Sequence, residues 1–136
     1  MSATLALDIV TPSGTVYSGR ANGVTLPSTA GEIGVLPGHA PMLTRATPGE
    51  VRVRTPDGEE VLAIGEGLVL VASDRVAIVT DMAIAAKDID EMKVEEARQR
   101  ALARLRERIS DEEVATVNAS LARSLAQLRV KRRKPR

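Results

Sequence analysis

The spacing of apolar residues changes once along this chain, near Lys87, and no other feature limits the fold as much. Before that point apolar residues alternate in short runs. In TLALDIV, Leu5, Leu7 and Ile9 alternate with smaller or polar residues, the period of a half-buried strand. EVRVRT repeats the pattern, with Val51 and Val53 on one side and Arg52 and Arg54 on the other. Turn residues separate the runs: TPSG, TPDGEE, and then GEG and SD between VLAIG, LVLVAS and RVAIVTD. Asp57-Gly58 is a strong hairpin signal, because both residue types tolerate positive φ. About eight to ten short strands at this spacing predict an antiparallel β-sandwich or flattened barrel. No βαβ spacing is present, which argues against a parallel sheet.

After Lys87 the period becomes helical. DIDEMKVEEARQRALARLRERI has no Gly or Pro and is rich in Ala, Glu, Arg and Leu. Asp88 is placed to cap it, with Glu91 completing a capping box. Ile89, Met92, Ala97, Ala101, Leu105 and Ile109 form an apolar stripe. Ser110 and Glu113 then open a second helix, striped by Val114, Val117, Leu121, Leu125 and Leu128. Acids open each helix and bases close it: Asp90 and Glu91 precede Arg106 and Arg108, and Asp111, Glu112 and Glu113 precede Arg129 and Lys131. A connection of about two residues folds such helices back antiparallel. The contact between them is thin, with Ala and one row of Leu and Val and no aromatic. A hairpin of this kind is marginal alone, so it leans on the sandwich or on another protein, and it can open. The fold class is therefore α+β: a sandwich over residues 1–86, then a two-helix hairpin over residues 87–136.

Charge divides at the same place. Residues 1–86 carry a net charge of −4 and residues 87–136 a net charge of +5. Tyr17 is the only aromatic residue, so the core is built from aliphatic side chains. The absence of cysteine excludes disulfides and thiolate metal sites and fits a reducing cytoplasm. A single histidine argues further against a transition-metal site. No apolar run approaches the ~20 residues that span a bilayer. MSATLALDIV has no basic region and meets Asp8 early, unlike a signal peptide. The expectation is a soluble protein that reaches a membrane only through a partner.

Two segments invite a functional reading. GEIGVLPGHAP, residues 31–41, holds three glycines, two prolines and the only histidine, His39. It is too broken for a helix or an ordinary strand, and reads as a rigid loop. A catalytic site, a docking surface and a plain turn are its three readings. No G-x-S-x-G elbow, phosphate loop or dinucleotide motif is present. His39 as a base lacks a recognisable nucleophile and orienting group, which favours a structural or docking role. Glu32 is either a solvated turn carboxylate or a contact to a partner; a stiff loop loses little entropy on docking. The second segment is the tail RVKRRKPR. Seven Lys/Arg follow Glu113, and no acid does. A solvated helix end, a phosphate-binding surface and a latch onto an acidic protein compete. The acidic first half and the missing aromatics weaken the nucleic-acid reading.

In order along the chain, GEIGVLPGHAPMLT, PGEVRV, the strand-rich region up to VAIVTDMAI, DIDEMK and LAQLRV resemble the epsilon subunit of F-type ATP synthases. The resemblance covers nearly the whole chain, and the 31–41 stretch is its specific part. It implies a non-catalytic subunit of the central rotor in proton-driven ATP synthesis. The sandwich would join the gamma subunit and sit on the c-ring, with Glu32, Gly38 and His39 at that contact. The hairpin would fold on the sandwich or extend along gamma and restrain ATP hydrolysis. Arg123, Arg129, Lys131, Arg132 and Arg133 would then latch onto an acidic segment of the catalytic beta subunit. The resemblance also implies a peripheral place on the cytoplasmic face of the bacterial inner membrane. No resident cofactor is implied. Some family members bind regulatory ATP through a pattern resembling I/L-D-x-x-R-A. Here IDEMKV keeps Ile89 and Asp90 but has Lys93 and Val94. Lys lacks the planar fork that Arg offers to phosphate. Gln127 stands where another Arg would be, leaving Asp90, Lys93, Arg100 and Arg123 as the nucleotide candidates. The competing reading is a nucleic-acid-binding or scaffold module with a basic helical tail. A small hydrolase using His39 and Glu32 is a third.

Overall fold

A computed structural model describes residues 3–132. Ten strands come first: β1 (Leu5–Thr11), β2 (Gly14–Ala21), β3 (Gly23–Ser28), β4 (Gly31–Val35), β5 (Met42–Ala46), β6 (Gly49–Thr55), β7 (Gly58–Ile64), β8 (Gly67–Val71), β9 (Arg75–Thr80) and β10 (Ala83–Ala85). A 3₁₀ turn, Ala86–Asp88, leads to α1 (Glu91–Leu105) and α2 (Asp111–Lys131). The strands pair in the order β10-β7-β6-β3-β5-β8-β9-β1-β2, with β4 also on β3. The β3–β5 link is a single pair, Ser28 with Ala46, so the sheet bends there and folds over itself, nearly barrel-like.

The alternation does what a period of two requires. Leu5, Leu7, Ile9, Val51 and Val53 are fully buried, as are Leu26, Ile64, Val69, Val76 and Ile78 from other strands. Branched aliphatic side chains fill the space that aromatics occupy in many cores. Tyr17 packs at its margin. Burial pushes its phenol pKa up, and the charge of Glu60 adds to the shift.

The two T-P-x-G turns are built alike. Thr11 pairs with Gly14, and Thr55 with Gly58, across two-residue loops. In each, the Thr hydroxyl donates to the Gly carbonyl, at 3.3 and 3.1 Å. The turn residues at the second hairpin are thus Pro56 and Asp57, not Asp57 and Gly58. Gly58 alone takes positive φ, at 132°, while Pro56 holds the φ that the first turn position needs.

One pairing departs from the antiparallel pattern. β1 lies parallel to β9, with Leu7 opposite Val76 and Ile9 opposite Ile78. The rest of the sandwich separates them in sequence and serves as the crossover, so no βαβ unit is needed to bring them together.

The hairpin differs from expectation at its ends. α1 begins at Glu91 because Asp90, not Asp88, is its cap and accepts from the Lys93 amide at 3.2 Å. Asp88 closes the preceding 3₁₀ turn. Ser110 caps α2 as its motif predicts, accepting from the Glu113 amide at 3.2 Å. The connection spans residues 106–110 rather than about two residues, so Ile109 lies outside α1. Met92 and Leu125 are exposed, at 76% and 44%, despite their places in the apolar stripes. The reason is that α2 packs on two partners, α1 on one side and β6 and β7 on the other. Its buried residues are accordingly Ser124, Ala126, Leu128 and Val130. Val130, Ile89 and Ala63 form a small apolar seat, joined by Val61, Met82, Ile84, Ala86 and Val94. The hairpin leans on the sandwich.

Candidate functional site

The 31–41 segment is half strand and half turn. Residues 31–35 pair in full register with β3, from Ser28–Gly31 to Val24–Val35, so the expectation of an unbroken loop is corrected. Its glycines leave the β3 ladder intact. Glu32 stands on this strand, opposite Pro27. Its carboxylate is 61% exposed and accepts from Arg52 Nη2 at 2.8 Å; Arg52 Nε also lies 3.8 Å from Glu50. The turn follows. The His39 amide donates to the Leu36 carbonyl at 3.1 Å, and the Gly38 amide donates to the Ser73 carbonyl at 2.6 Å. Gly38 sits at φ 90°, as the third residue of a turn with Pro at its second position requires. Half-buried His39 holds Nδ1 2.7 Å from its neighbour's carbonyl, Ala40. A carbonyl only accepts, so Nδ1 carries the proton and Nε2 is the acceptor of the neutral ring. Glu32 and His39 thus have separate structural partners.

Among the described residues, Arg123, Lys131 and Arg132 are engaged within the chain. Arg123 pairs with Asp81 at 3.2 Å. The Lys131 ammonium donates to the Ala86 carbonyl at 3.4 Å. Arg132 bridges Glu91 at 2.5 Å and Glu95 at 3.3 Å, tying the end of α2 to the start of α1. Its guanidinium is held above its ordinary pKa chiefly by the Glu91 hydrogen bond. Glu95 is held below the usual carboxylate range, first by the Gln99 hydrogen bond and then by Arg98 and Arg132. Arg129 borders a cavity beside Glu32 and Glu50. Arg133 lies outside the described residues. At the other end of the hairpin, Arg104 reaches across to Glu113 at 2.6 Å and also pairs with Glu107.

Of the nucleotide candidates, Asp90 and Lys93 are brought together, but as cap and capped amide. Arg100 is exposed beside Met92, Glu96 and Gln99 on the outer face of α1, and Arg123 faces Asp81.

One feature was missed in the sequence. Leu43, Leu68, Leu70 and Val79 point outward from β5, β8 and β9, at 65, 49, 53 and 51% exposure. They are neighbours: Leu43 pairs with Leu70, and Leu68 with Val79. Val79 also pairs with Val10 on β1. Arg45, opposite Leu68, and Asp8, opposite Ala77, rim this face. The signal was the run LVLV, in which both faces of one strand are apolar; that pattern belongs to strands covered on both sides. A contiguous apolar face rimmed by charge marks an interaction surface.

Among the described residues no helix is long and apolar enough to cross a membrane. Residues 4–86 match the family model described as ATP synthase, Delta/Epsilon chain, beta-sandwich domain, and residues 87–132 match its long alpha-helix domain. The chain is 41% identical over 130 residues to the ATP synthase epsilon chain of Halorhodospira halophila, covering 93% of this chain and 92% of that one. It is 40% identical over 132 residues to the epsilon chain of Bordetella avium, covering 96% and 94%. In fold it resembles a chain of the Euglena gracilis mitochondrial ATP synthase OSCP/F1/c-ring structure, with TM-score 0.76, 22% identity, and coverage of 91% of this chain and 79% of that one. A chain of the Tetrahymena thermophila ATP synthase central stalk/c-ring structure gives TM-score 0.62 at 12% identity, covering 93% and 96%. With both of its parts matched and its curated relatives matched nearly end to end, the chain belongs to the ATP synthase delta/epsilon family.

Proposed function

We propose that this chain is a non-catalytic subunit of the ATP synthase rotor, with residues 1–86 as its docking part and residues 87–136 as its regulatory part. The observation that carries the reading is the outward apolar face of Leu43, Leu68, Leu70 and Val79. A sandwich whose interior is already filled gains nothing from it alone, whereas a gamma subunit laid on it buries it. The turn with Gly38 and His39, and Glu32 on the strand before it, form the contact with the c-ring and gamma. Its pre-set backbone hydrogen bonds reduce the ordering cost of docking. The protein thus meets the membrane only through the complex, on the cytoplasmic face of a bacterial cell, and serves proton-driven synthesis without turning over substrate.

The hairpin is the regulatory element. In the folded hairpin Arg123, Lys131 and Arg132 are spent on partners in the chain itself. Extension toward the catalytic beta subunit would exchange those partners for an acidic surface, for Arg123 and Arg132 a swap of one carboxylate for another. Such a swap keeps two states within a few kcal/mol of one another, as a switch requires.

The test is capture from detergent-solubilised membranes with identification of the bound proteins. Wild type should retain gamma and ring subunits, and Leu70→Glu should lose them while its circular dichroism is unchanged. Retention of gamma by Leu70→Glu would move the docking site elsewhere. Capture of no rotor subunit, with salt-sensitive oligonucleotide binding instead, would replace this reading by the nucleic-acid module.

A further inference from the structure

Gly34 is the one glycine of this chain whose missing side chain serves nothing inside it. Of the ten glycines, Gly14, Gly31, Gly38 and Gly58 hold positive φ. At Gly23, Gly49, Gly65 and Gly67 a Cβ would meet another atom of the chain at 3.1 Å or less. Gly19 lies under the Tyr17 ring, whose hydroxyl would stand 3.5 Å from a Cβ there. Gly34 has no positive φ, and a Cβ on it would touch nothing within 4 Å. A glycine in mid-strand weakens the strand, and it recurs where another chain comes close. Ile33 packs on the core and Val35 is buried, so Glu32 and Gly34 face outward.

The same two residues leave backbone groups open. In β3 the Pro27 carbonyl accepts from the Thr47 amide at 3.4 Å, and the Thr29 amide donates to the Arg45 carbonyl at 3.1 Å, so both point away from β4. Antiparallel pairs alternate, so the bonds to β4 run through Leu26–Ile33 and Ser28–Gly31. Glu32, opposite Pro27, and Gly34, opposite Thr25, therefore turn their N–H and C=O groups to the far side. β4 pairs with no strand but β3, and no backbone or side-chain group among the described residues answers them. The other open edges are blunted: β2 carries a bulge beside Ile9 and Val10, and β10 has only three residues.

We propose that the free edge of β4 receives an extended segment of the rotor subunit docked beside the Gly38–His39 turn, as an added strand. The open groups of Glu32 and Gly34 lie two residues apart on one edge, the repeat at which a strand presents its own. Their N–H and C=O groups hold the segment, as in other cases of strand addition. The residue that falls opposite Gly34 carries a large apolar side chain, which lies over the bare backbone as the Tyr17 ring lies over Gly19. Two positions along, a Lys or Arg meets the Glu32 carboxylate, which is 61% exposed. This inference rests on the docking role proposed above and assigns the backbone a part in it.

The measurement is amide hydrogen exchange at residues 32–34, resolved by residue, in the isolated chain and in the complex captured from detergent-solubilised membranes. Alone, Ile33 should be protected while Glu32 and Gly34 exchange freely. In the complex Glu32 and Gly34 should slow at least about tenfold, so that the alternation disappears. Capture of rotor subunits with both amides still fast would overturn the added strand and leave the docking role standing. Capture of no rotor subunit would sink the docking role and the added strand together. Slowing in the isolated chain that grows with its concentration would make the occupant a second copy and would overturn the assignment. Gly34→Val gives an independent reading. Valine favours a strand and has room here, so urea denaturation should show no loss of stability. Capture by this variant should nonetheless weaken at least about tenfold, because the new side chain takes the place of the incoming one. Undiminished capture by the folded variant would overturn the close approach at Gly34.

Discussion

Arg123 of α2 meets Asp81, which lies between β9 and β10, at 3.2 Å, and so ties the hairpin to the sandwich through one ion pair. The side chains are 34 and 43% exposed, so solvent screens the pair and its share of docking is about 0.2–1 kcal/mol. Arg123→Ala should therefore loosen the hairpin without releasing it. A double-mutant cycle with Asp81→Asn, read by exchange in α2, should return a coupling in that range. A coupling of zero would remove the pair from the account of docking.

The apolar seat should matter more. Val130 is 4% exposed and Ala63 is fully buried. Val130→Ala removes about two carbons and should cost about 1–2 kcal/mol of docking. Val130→Asp would bury an unpaired charge, so α2 should detach instead. The sandwich core is a separate cluster and should persist. Limited proteolysis should then cut within residues 106–110 while the strand signal in circular dichroism holds. Loss of that signal would show that the two parts fold as one.

Gly38 and Gly34 make a matched pair. A Cβ at either would touch nothing within 4 Å, but only Gly38 has positive φ, at 90°. Gly38→Ala should cost about 1–3 kcal/mol through backbone strain alone. Gly34→Ala should change stability by less than about 0.5 kcal/mol. Urea denaturation of both variants checks this, and equal costs would contradict the turn geometry.

Glu95 sets an acid limit on the base of the hairpin. Its pKa is depressed, first by Gln99 and then by Arg98 and Arg132. A depressed carboxylate stabilises the folded form above its ordinary value of about 4.3, and that contribution fades as pH falls through the lowered folded value. Protection factors at the N-terminal turns of α1, with exchange referred to the intrinsic rate at each pH, should fall on acidification from about pH 5 to about pH 3. Glu95→Gln should flatten that step. An unchanged profile in the variant would assign the acid sensitivity to other carboxylates.

Much of this molecule was legible residue by residue. The buried alternation of Leu5, Leu7 and Ile9, the Ser110 cap and the change of period near Lys87 read correctly, and both T-P-x-G turns were found, although the central residues of the second are Pro56 and Asp57 rather than Asp57 and Gly58. Each is decided within a few residues: by the φ that Pro holds, by the two-residue repeat of a strand, or by a side chain bonding an amide three positions on. The turn at Gly38 was legible for the same reason. Glu32 was visible as a candidate, but not its strand, because pairing with β3 compensates for glycines that weaken a strand in isolation.

What the tertiary structure decided depended on neighbours distant in sequence. Met92 and Leu125 occupy apolar helical positions yet face outward, while Ser124 and Ala126 are buried, because β6, β7 and α1 together choose which sides of the helices are covered. Leu43, Leu70, Leu68 and Val79 became one surface only when β5, β8 and β9 took their register. Arg129 came to lie beside Glu32 only because α2 packs back onto the sandwich. Local sterics and periodicity choose the element, whereas the exposure and charge partners of a side chain follow from long-range packing that no window of the sequence contains.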